Sequence, residues 1–150
     1  MARDRGASRS RQRARELLIK ALYQWQLAGH GVAELTAQFG ATPDFERCDS
    51  DYFGQLLPVV VDNVEALDKM IARHAVRAIE QLDAVGRAIL LLGLAELKYR
   101  EDVPTKVVIN EAVELAKRYG AAESFRFVNA VLDKSARELR VATEASGAQP

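Results

Sequence analysis

The sequence has very little of the residues that build disulfides and metal sites. It contains one cysteine, Cys48, and two histidines among 150 residues. One cysteine cannot close an internal disulfide or supply a cysteine-rich metal site, and such usage suits a reducing cytoplasm. Neither His30 nor His74 has a metal-ligand spacing such as HExxH, and no glycine-rich phosphate loop precedes a helix. We therefore expect a protein that is not an enzyme and that uses no metal or cofactor.

Proline and long uncharged apolar runs are also scarce. Only four prolines occur, and no strand-like alternation continues for long, which predicts an all-α fold. The most apolar stretch is bracketed by Arg87 and Glu96, and it is much shorter than the roughly 20 residues that span a bilayer. The arginine-rich start of the chain has no apolar segment behind it. We expect neither a membrane segment nor a secretory signal.

The apolar stretch over residues 83–99 predicts the centre of the fold. Leucine and alanine leave almost no polar face on it at a 3.6-residue repeat, so the helix must be surrounded by protein. Asp83 is a suitable N-cap, and Val103-Pro104 should stop the helix soon after Tyr99. We therefore predict that amphipathic helices pack around a buried central helix.

The remaining apolar patterns predict amphipathic helices on either side of the central one. The first should begin at Ser8 or Ser10, after a disordered basic arm over residues 1–8. Pro58 should kink or divide the third predicted helix. A loose tail over 141–150 should follow a single domain at 9–140. The predicted helices cover 10–28, 32–39, 52–75, 104–119 and 122–140.

The charge is neutral in total but unevenly placed. Residues 1–20 hold seven basic and two acidic side chains, a net charge of +5, and the other 130 residues carry −5. A basic arm on an acidic body suggests an anionic partner such as RNA or DNA. The alternative is a solvated tail that keeps the protein soluble.

Arginines and outward-facing aromatics supply the candidate binding residues. Guanidinium groups grip phosphates bidentately and stack on bases, and arginine-rich segments often become ordered on RNA. Tyr23 points away from the apolar stripe of the first helix, and Phe127 lies nearly opposite the buried face of the last one. Such rings can stack on bases, or they can simply pack against another helix. The clustered arginines are Arg9, Arg11, Arg13 and Arg15.

Four motifs together resemble the NusB transcription antitermination factor family, in order and spacing, from Arg9 to Arg140. They are RARELLIKALYQWQL (Arg13–Leu27), LDAVGRAILLLGLAEL (Leu82–Leu97), DVPTKVVINEAVELAKRYG (Asp102–Gly120) and SFRFVNAVLDK (Ser124–Lys134). The resemblance implies a compact bundle of about seven helices. As to function, it implies a cytoplasmic adaptor that joins the ribosomal protein NusE and binds single-stranded boxA RNA of nascent ribosomal RNA. It also implies a place in the RNA polymerase antitermination complex that reads through terminators.

The resemblance assigns roles residue by residue. Lys106 begins an exposed row that continues through Asn110, and Glu123 takes the place of an acidic residue that tempers RNA affinity. The NusE surface would lie around Arg77 and Glu80, near the start of the central helix. The implied RNA-binding residues are Arg9, Arg11, Arg13, Arg15, Tyr23, Lys106 and Phe127.

Some positions depart from the family pattern. Gly86 stands where an acidic residue often follows the cap, Ala130 replaces the usual glycine, and Pro58 is unexpected. The arginines are also spaced more widely than the family's tighter cluster, so individual RNA contacts can differ.

Two other functions remain as alternatives. One is the RNA-binding module of a ribosomal RNA cytosine methyltransferase, which would need a nucleotide-binding sheet that these residues do not provide. The other is a structural helical dimer module whose basic arm is incidental. The sequence leaves open whether the free protein is a monomer or a homodimer.

Overall fold

The computed structural model describes the backbone of residues 2–75 and 82–147 and the side chains of residues 6–75 and 82–140. Within these residues the secondary structure consists of seven α-helices and one 3₁₀ helix, with no strand. The predicted all-α fold with about seven helices is confirmed. The chain divides into two compact units, Met1–Asp62 and Asn63–Pro150, where the sequence predicts one domain over 9–140.

In the first unit, two α-helices and the 3₁₀ helix pack around α1. Helix α1 contacts α2, the 3₁₀ helix and α3, and α2 contacts α3. Leu18 and Leu22 of α1 and Phe53 of α3 are fully buried, as the helical spacing predicts. The elements are α1 (Ala2–Ala28), α2 (Val32–Gly40), the 3₁₀ helix (Pro43–Arg47) and α3 (Ser50–Asp62).

The second unit is organised by α5, the predicted central helix. Helix α5 contacts α4, α6 and α7, and every residue from Ala88 to Leu97 is buried. Asp83 is its N-cap, with Oδ1 accepting a hydrogen bond of 2.7 Å from the Gly86 N–H. The buried helix and its cap are therefore confirmed. The elements are α4 (Val64–His74), α5 (Ala84–Tyr99), α6 (Thr105–Tyr119) and α7 (Ser124–Gly147).

The two terminal helices extend further than predicted. Helix α1 begins at Ala2, and Ser10 Oγ donates to Ala7 O at 3.0 Å instead of capping the helix. Residues 2–8, predicted as a disordered arm, are thus helical, because a helix that is already nucleated gains one hydrogen bond per added residue. Helix α7 likewise continues to Gly147, into the predicted tail.

The long helix predicted over 52–75 is divided, but not at Pro58. Pro58 lies inside α3, and the break comes at Asn63, immediately before α4 begins at Val64. A proline removes one hydrogen bond and crowds the carbonyl four residues earlier, here that of Gly54. Leu57 and Val60 on either side of Pro58 are completely buried, so their packing accounts for the helix continuing past the lost bond.

Candidate nucleic-acid interface

One exposed face of α1 carries two predicted arginines and the predicted tyrosine. A residue on an α-helix turns by about 100° from the one before it, so positions 9, 13 and 23 share a face. The side chains of Arg9 and Arg13 are exposed, and Tyr23 is 41% exposed. The prediction that Tyr23 points away from the core is confirmed. This face presents two guanidinium groups and a ring to solvent.

The other two predicted arginines lie on a different face of α1, against Tyr52 of α3. The guanidinium carbon of Arg11 lies 4.2 Å from the centre of the Tyr52 ring, and that of Arg15 lies 5.6 Å from it. Both distances are within the range of a cation–π interaction. Arg15 is only 3% exposed, so it is not presented to solvent as the phosphate-contact role requires. Arg15 lies four residues after Arg11, so both are on the face of α1 that packs against α3. This position explains why Arg15 is buried.

Asp49 completes this arrangement. Its Oδ2 lies 3.6 Å from Nη2 of Arg11, and its Oδ1 accepts a hydrogen bond of 3.0 Å from the Tyr52 N–H. The backbone N–H of Asp49 donates to Ser10 O at 2.9 Å. Asp49 thus joins the first part of α1 to the start of α3. Sequence reasoning missed both Asp49 and Tyr52, which lie about 40 residues from the arginines that they contact.

In the second unit, the row predicted on α6 is exposed. Lys106 and Asn110 both have exposed side chains, four residues apart on the first turns of α6. Val107 is 38% exposed, whereas its neighbour Val108 is buried and only 2% exposed. Adjacent residues differ by about 100°, so only one of the two can face the core.

Phe127 lines a surface hollow of about 270 Å³ in the second unit. Its side chain is half-buried, while the next residue, Val128, is completely buried. The hollow therefore offers part of an aromatic ring beside a recess, an arrangement that suits a stacked base. The other lining residues are Leu82, Asp83, Gly86, Ala121, Ala122, Glu123, Ser124 and Val128.

Glu123 and Gly86, the latter a departure from the family pattern, both line this hollow. Glu123 has a left-handed backbone with φ of 65°, which a residue other than glycine seldom adopts, and it places an exposed carboxylate beside the hollow. A Cβ atom on Gly86 would lie 2.9 Å from Leu82 Cδ1 and 3.0 Å from Asp83 Oδ1. Glycine at position 86 therefore lets the chain pack closely around the Asp83 cap.

The predicted partner residues Arg77 and Glu80 lie outside the described residues. Among the residues that the structure does describe, no group of three or more His, Cys, Asp and Glu side chains could hold a metal ion. No helix within that part of the chain is both long and apolar enough to cross a membrane. Burial, together with the nearby Asp49 charge, raises the pKa of the Cys48 thiol, so the reactive thiolate form is disfavoured.

Comparison with known proteins gives consistent results over most of the chain. The transcription antitermination protein NusB of Alcanivorax borkumensis is 51% identical over 141 residues, covering 94% of this chain and 93% of that protein. The protein of the same name from Pseudoalteromonas translucida is 46% identical over 131 residues, covering 87% of this chain and 96% of that protein.

Solved structures match as well. A crystal structure of the antitermination factors NusB and NusE in complex with double-stranded RNA has a TM-score of 0.73 at 28% identity, covering 87% of this chain and 98% of that one. A T. maritima NusB structure has a TM-score of 0.71 at 29% identity, covering 85% of this chain and 90% of that one. The NusB family profile matches residues 12–137. This chain therefore belongs to the NusB family.

Proposed function

We propose that this protein is a transcription antitermination adaptor that, together with NusE, binds boxA RNA of nascent ribosomal RNA and promotes read-through by RNA polymerase. It is a binding protein and not a catalyst, and it works in the cytoplasm. Membership of the NusB family and the antitermination names of its relatives support this role. The solved complex of relatives with NusE and RNA supports the choice of both partners.

The observation that carries the proposal is the exposed face of α1. Arg9 and Arg13 place two guanidinium groups there, and Tyr23 adds an exposed ring further along. Cations that follow a phosphate backbone, combined with rings on which bases stack, are the two components of single-stranded RNA binding. We assign Arg9 and Arg13 to phosphate contacts and Tyr23 to base stacking.

Arg11 and Arg15 have a different role in this proposal. Their guanidinium groups lie over the Tyr52 ring, and Arg15 is buried. A buried guanidinium cannot meet a phosphate without leaving its packing. Arg15 therefore acts as a positioning residue that docks α1 on α3, while Arg11, which is half-buried, keeps a share in RNA contact.

We also assign two residues of the second unit to RNA contacts. Lys106 offers an exposed ammonium group at the start of α6, and Phe127 offers a ring beside the 270 Å³ hollow. We assign Lys106 to a phosphate and Phe127 to a base. The Glu123 carboxylate beside that hollow repels RNA phosphates and so moderates the affinity. The NusE surface is assigned to the region of Arg77 and Glu80.

The test is a titration of labelled boxA-like RNA and of a scrambled RNA of the same composition, each with and without NusE, at two salt concentrations. We expect weak binding by the protein alone, tighter binding with NusE, and a preference for the boxA-like RNA. Light scattering of the same samples tells whether the RNA meets a monomer or a homodimer. Equal binding of both RNAs in the presence of NusE would contradict the proposal.

A further inference from the structure

We propose that a cleft between α1 and the 3₁₀ helix is a second phosphate-binding site, formed by Arg13, Lys20 and Arg47. The ligand is a backbone phosphate of the single-stranded RNA that the exposed face of α1 binds, so the inference rests on the proposed function. Neither Lys20 nor Arg47 is among the predicted RNA-binding residues. Both extend the basic surface beyond the predicted arginines.

The cleft has the size and charge for one phosphate group. It encloses about 130 Å³ and is lined by three basic and two acidic side chains, with Leu17 completing the wall. The three cations are exposed, so a ligand can reach them from solvent. The carboxylates of Glu16 and Asp44 leave a net charge of +1 on the lining, which favours one phosphate and disfavours a second.

The segment that carries Arg47 contacts both α1 and α3. Arg13 Nη1 donates to the backbone oxygen of Arg47 at 3.4 Å, across 34 residues of sequence. The Phe45 ring meets the Phe53 ring edge-on, with 5.5 Å between centres and 89° between planes. Asp49, just beyond the 3₁₀ helix, is bonded to Ser10 O. The cleft is thus preformed, so a phosphate does not have to order it on binding.

The cleft lies on the path that the exposed face of α1 defines. Positions 9, 13, 20 and 23 all fall within about 80° of one another around the helix axis, at about 100° per residue. Lys20 stands about 10 Å along the axis from Arg13, at a rise of 1.5 Å per residue, and Tyr23 lies less than one turn beyond it. An RNA strand that contacts Arg9 and stacks on Tyr23 passes Lys20. Arg47 lines the same cleft as Lys20, on the side formed by the 3₁₀ helix.

The test compares Lys20→Gln, Arg47→Gln and their double variant in the boxA-like RNA titration with NusE, over a series of salt concentrations. The Arg47 change keeps the hydrogen bond from Arg13, because that bond uses the Arg47 backbone oxygen. For single-stranded RNA, log affinity falls linearly as log salt concentration rises, with a slope of about −0.7 per phosphate contact. We expect each single variant to bind more weakly and the double variant to have the shallowest slope.

The matched control is the double variant Lys69→Gln/Arg137→Gln, which removes two exposed charges from α4 and α7. Asp44→Asn gives a test of sign, because removing a carboxylate from the cleft should tighten RNA binding and steepen the slope. Circular dichroism and melting temperature verify that every variant is folded.

The outcomes separate the cleft from the proposed function. If Lys20→Gln/Arg47→Gln behaves like the control while Arg9→Gln still weakens binding, the cleft is not a phosphate site and the proposed function stands. If the unaltered protein with NusE does not prefer boxA-like RNA, the proposed function fails. A weaker and less salt-dependent double variant, with a tighter Asp44→Asn, supports the cleft.

Discussion

At the scale of single residues, arginine has different roles on different faces of α1. Arg9 and Arg13 are exposed, whereas Arg11 and Arg15 lie against one tyrosine ring and Arg15 is 3% exposed. The spacing contained part of this distinction, because position 15 lies three residues before buried Leu18. A cluster of arginines alone predicts an anionic partner. Only the position of Tyr52 in the structure distinguishes the arginines that pack from those proposed to bind RNA.

A double-mutant cycle between Arg11 and Tyr52 measures the stack on that ring. We expect Arg11→Gln and Tyr52→Leu to be coupled by about 0.5–1 kcal/mol in the free energy of unfolding, since each change removes one partner of the same cation–π contact. Urea denaturation of the four proteins gives the coupling. Tyr52→Phe is the control, because it keeps the ring and should keep the coupling. Strictly additive effects of Arg11→Gln and Tyr52→Leu would argue against the stack.

The exposed ring of Tyr23 can be tested against a ring of equal exposure elsewhere. Tyr23 is 41% exposed on α1, and Tyr99, at the end of α5, is 37% exposed. We expect Tyr23→Ala to weaken RNA binding by about 1–3 kcal/mol, the usual contribution of a stacked base. Tyr99→Ala should leave the affinity unchanged in the same fluorescence titration. Equal losses in both variants would mean that Tyr23 has no specific part in binding.

The carboxylate of Glu138 on α7 should make the stability of the second unit depend on pH. Burial alone would raise its pKa, but hydrogen bonds from Arg73 and His74 of α4, together with their charges, lower it below the ordinary value. The unfolded chain therefore takes up the Glu138 proton first as the pH falls. The stabilisation is complete above the ordinary glutamate value and is lost as the pH falls through the lowered one.

We therefore expect Glu138→Gln to be less stable than the unaltered protein near neutral pH. The difference should shrink as the pH falls below the ordinary glutamate value, because protonation removes the carboxylate in both states. Urea unfolding at a series of pH values measures this difference. A gap that stays constant down to strongly acidic pH would show that the charge on Glu138 contributes nothing.

At the scale of elements, the caps of α5 decide where the central helix begins and ends. Asp83 caps the first turn, as the sequence predicts. The last turn is held by Arg140 of α7, whose guanidinium donates to the carbonyl oxygens of Glu96, Leu97, Arg100 and Val103 at 2.8–3.2 Å. A cation at a helix C-terminus also complements the helix dipole. Arg140 thus joins α7 to the end of α5.

Arg140→Gln should lower the free energy of unfolding by about 2–3 kcal/mol, since several charge-assisted hydrogen bonds are lost and half-buried carbonyls are left without this donor. Chemical denaturation of the purified variant measures the loss. Arg137→Gln is a suitable control, because its ion pair with Asp133 is on the surface and contributes little. If both variants lose the same small amount, Arg140 is not a structural anchor.

The elements also show what the sequence could and could not predict. The apolar surface of α5 and its Asp83 cap are local signals, and the structure agrees with both of them. The failures come from tertiary packing. Helix α3 continues through Pro58 because the neighbours of Pro58 are buried. The link between Arg13 and Arg47 spans 34 residues, and no periodicity reports it.

At the scale of the whole molecule, each of the two compact units has a buried apolar interior and its own residues assigned to RNA contact. The formal charge is zero, so the protein as a whole has no net attraction for RNA, and binding depends on where the cations are placed. In the first unit they are placed along the exposed face of α1, and in the second Lys106 stands at the start of α6. This distribution agrees with an adaptor that gains affinity from a protein partner.

The salt dependence of RNA binding tests this account most directly. BoxA-like RNA is titrated with the unaltered protein, with Arg9→Gln/Arg13→Gln and with the control Lys69→Gln/Arg137→Gln, all in the presence of NusE. We predict that loss of two phosphate contacts makes the slope of log affinity against log salt shallower by about 1.4, at about 0.7 for each contact, and that the control keeps the full slope. A slope that is the same in all three proteins would contradict the claim that the exposed face of α1 binds the RNA backbone.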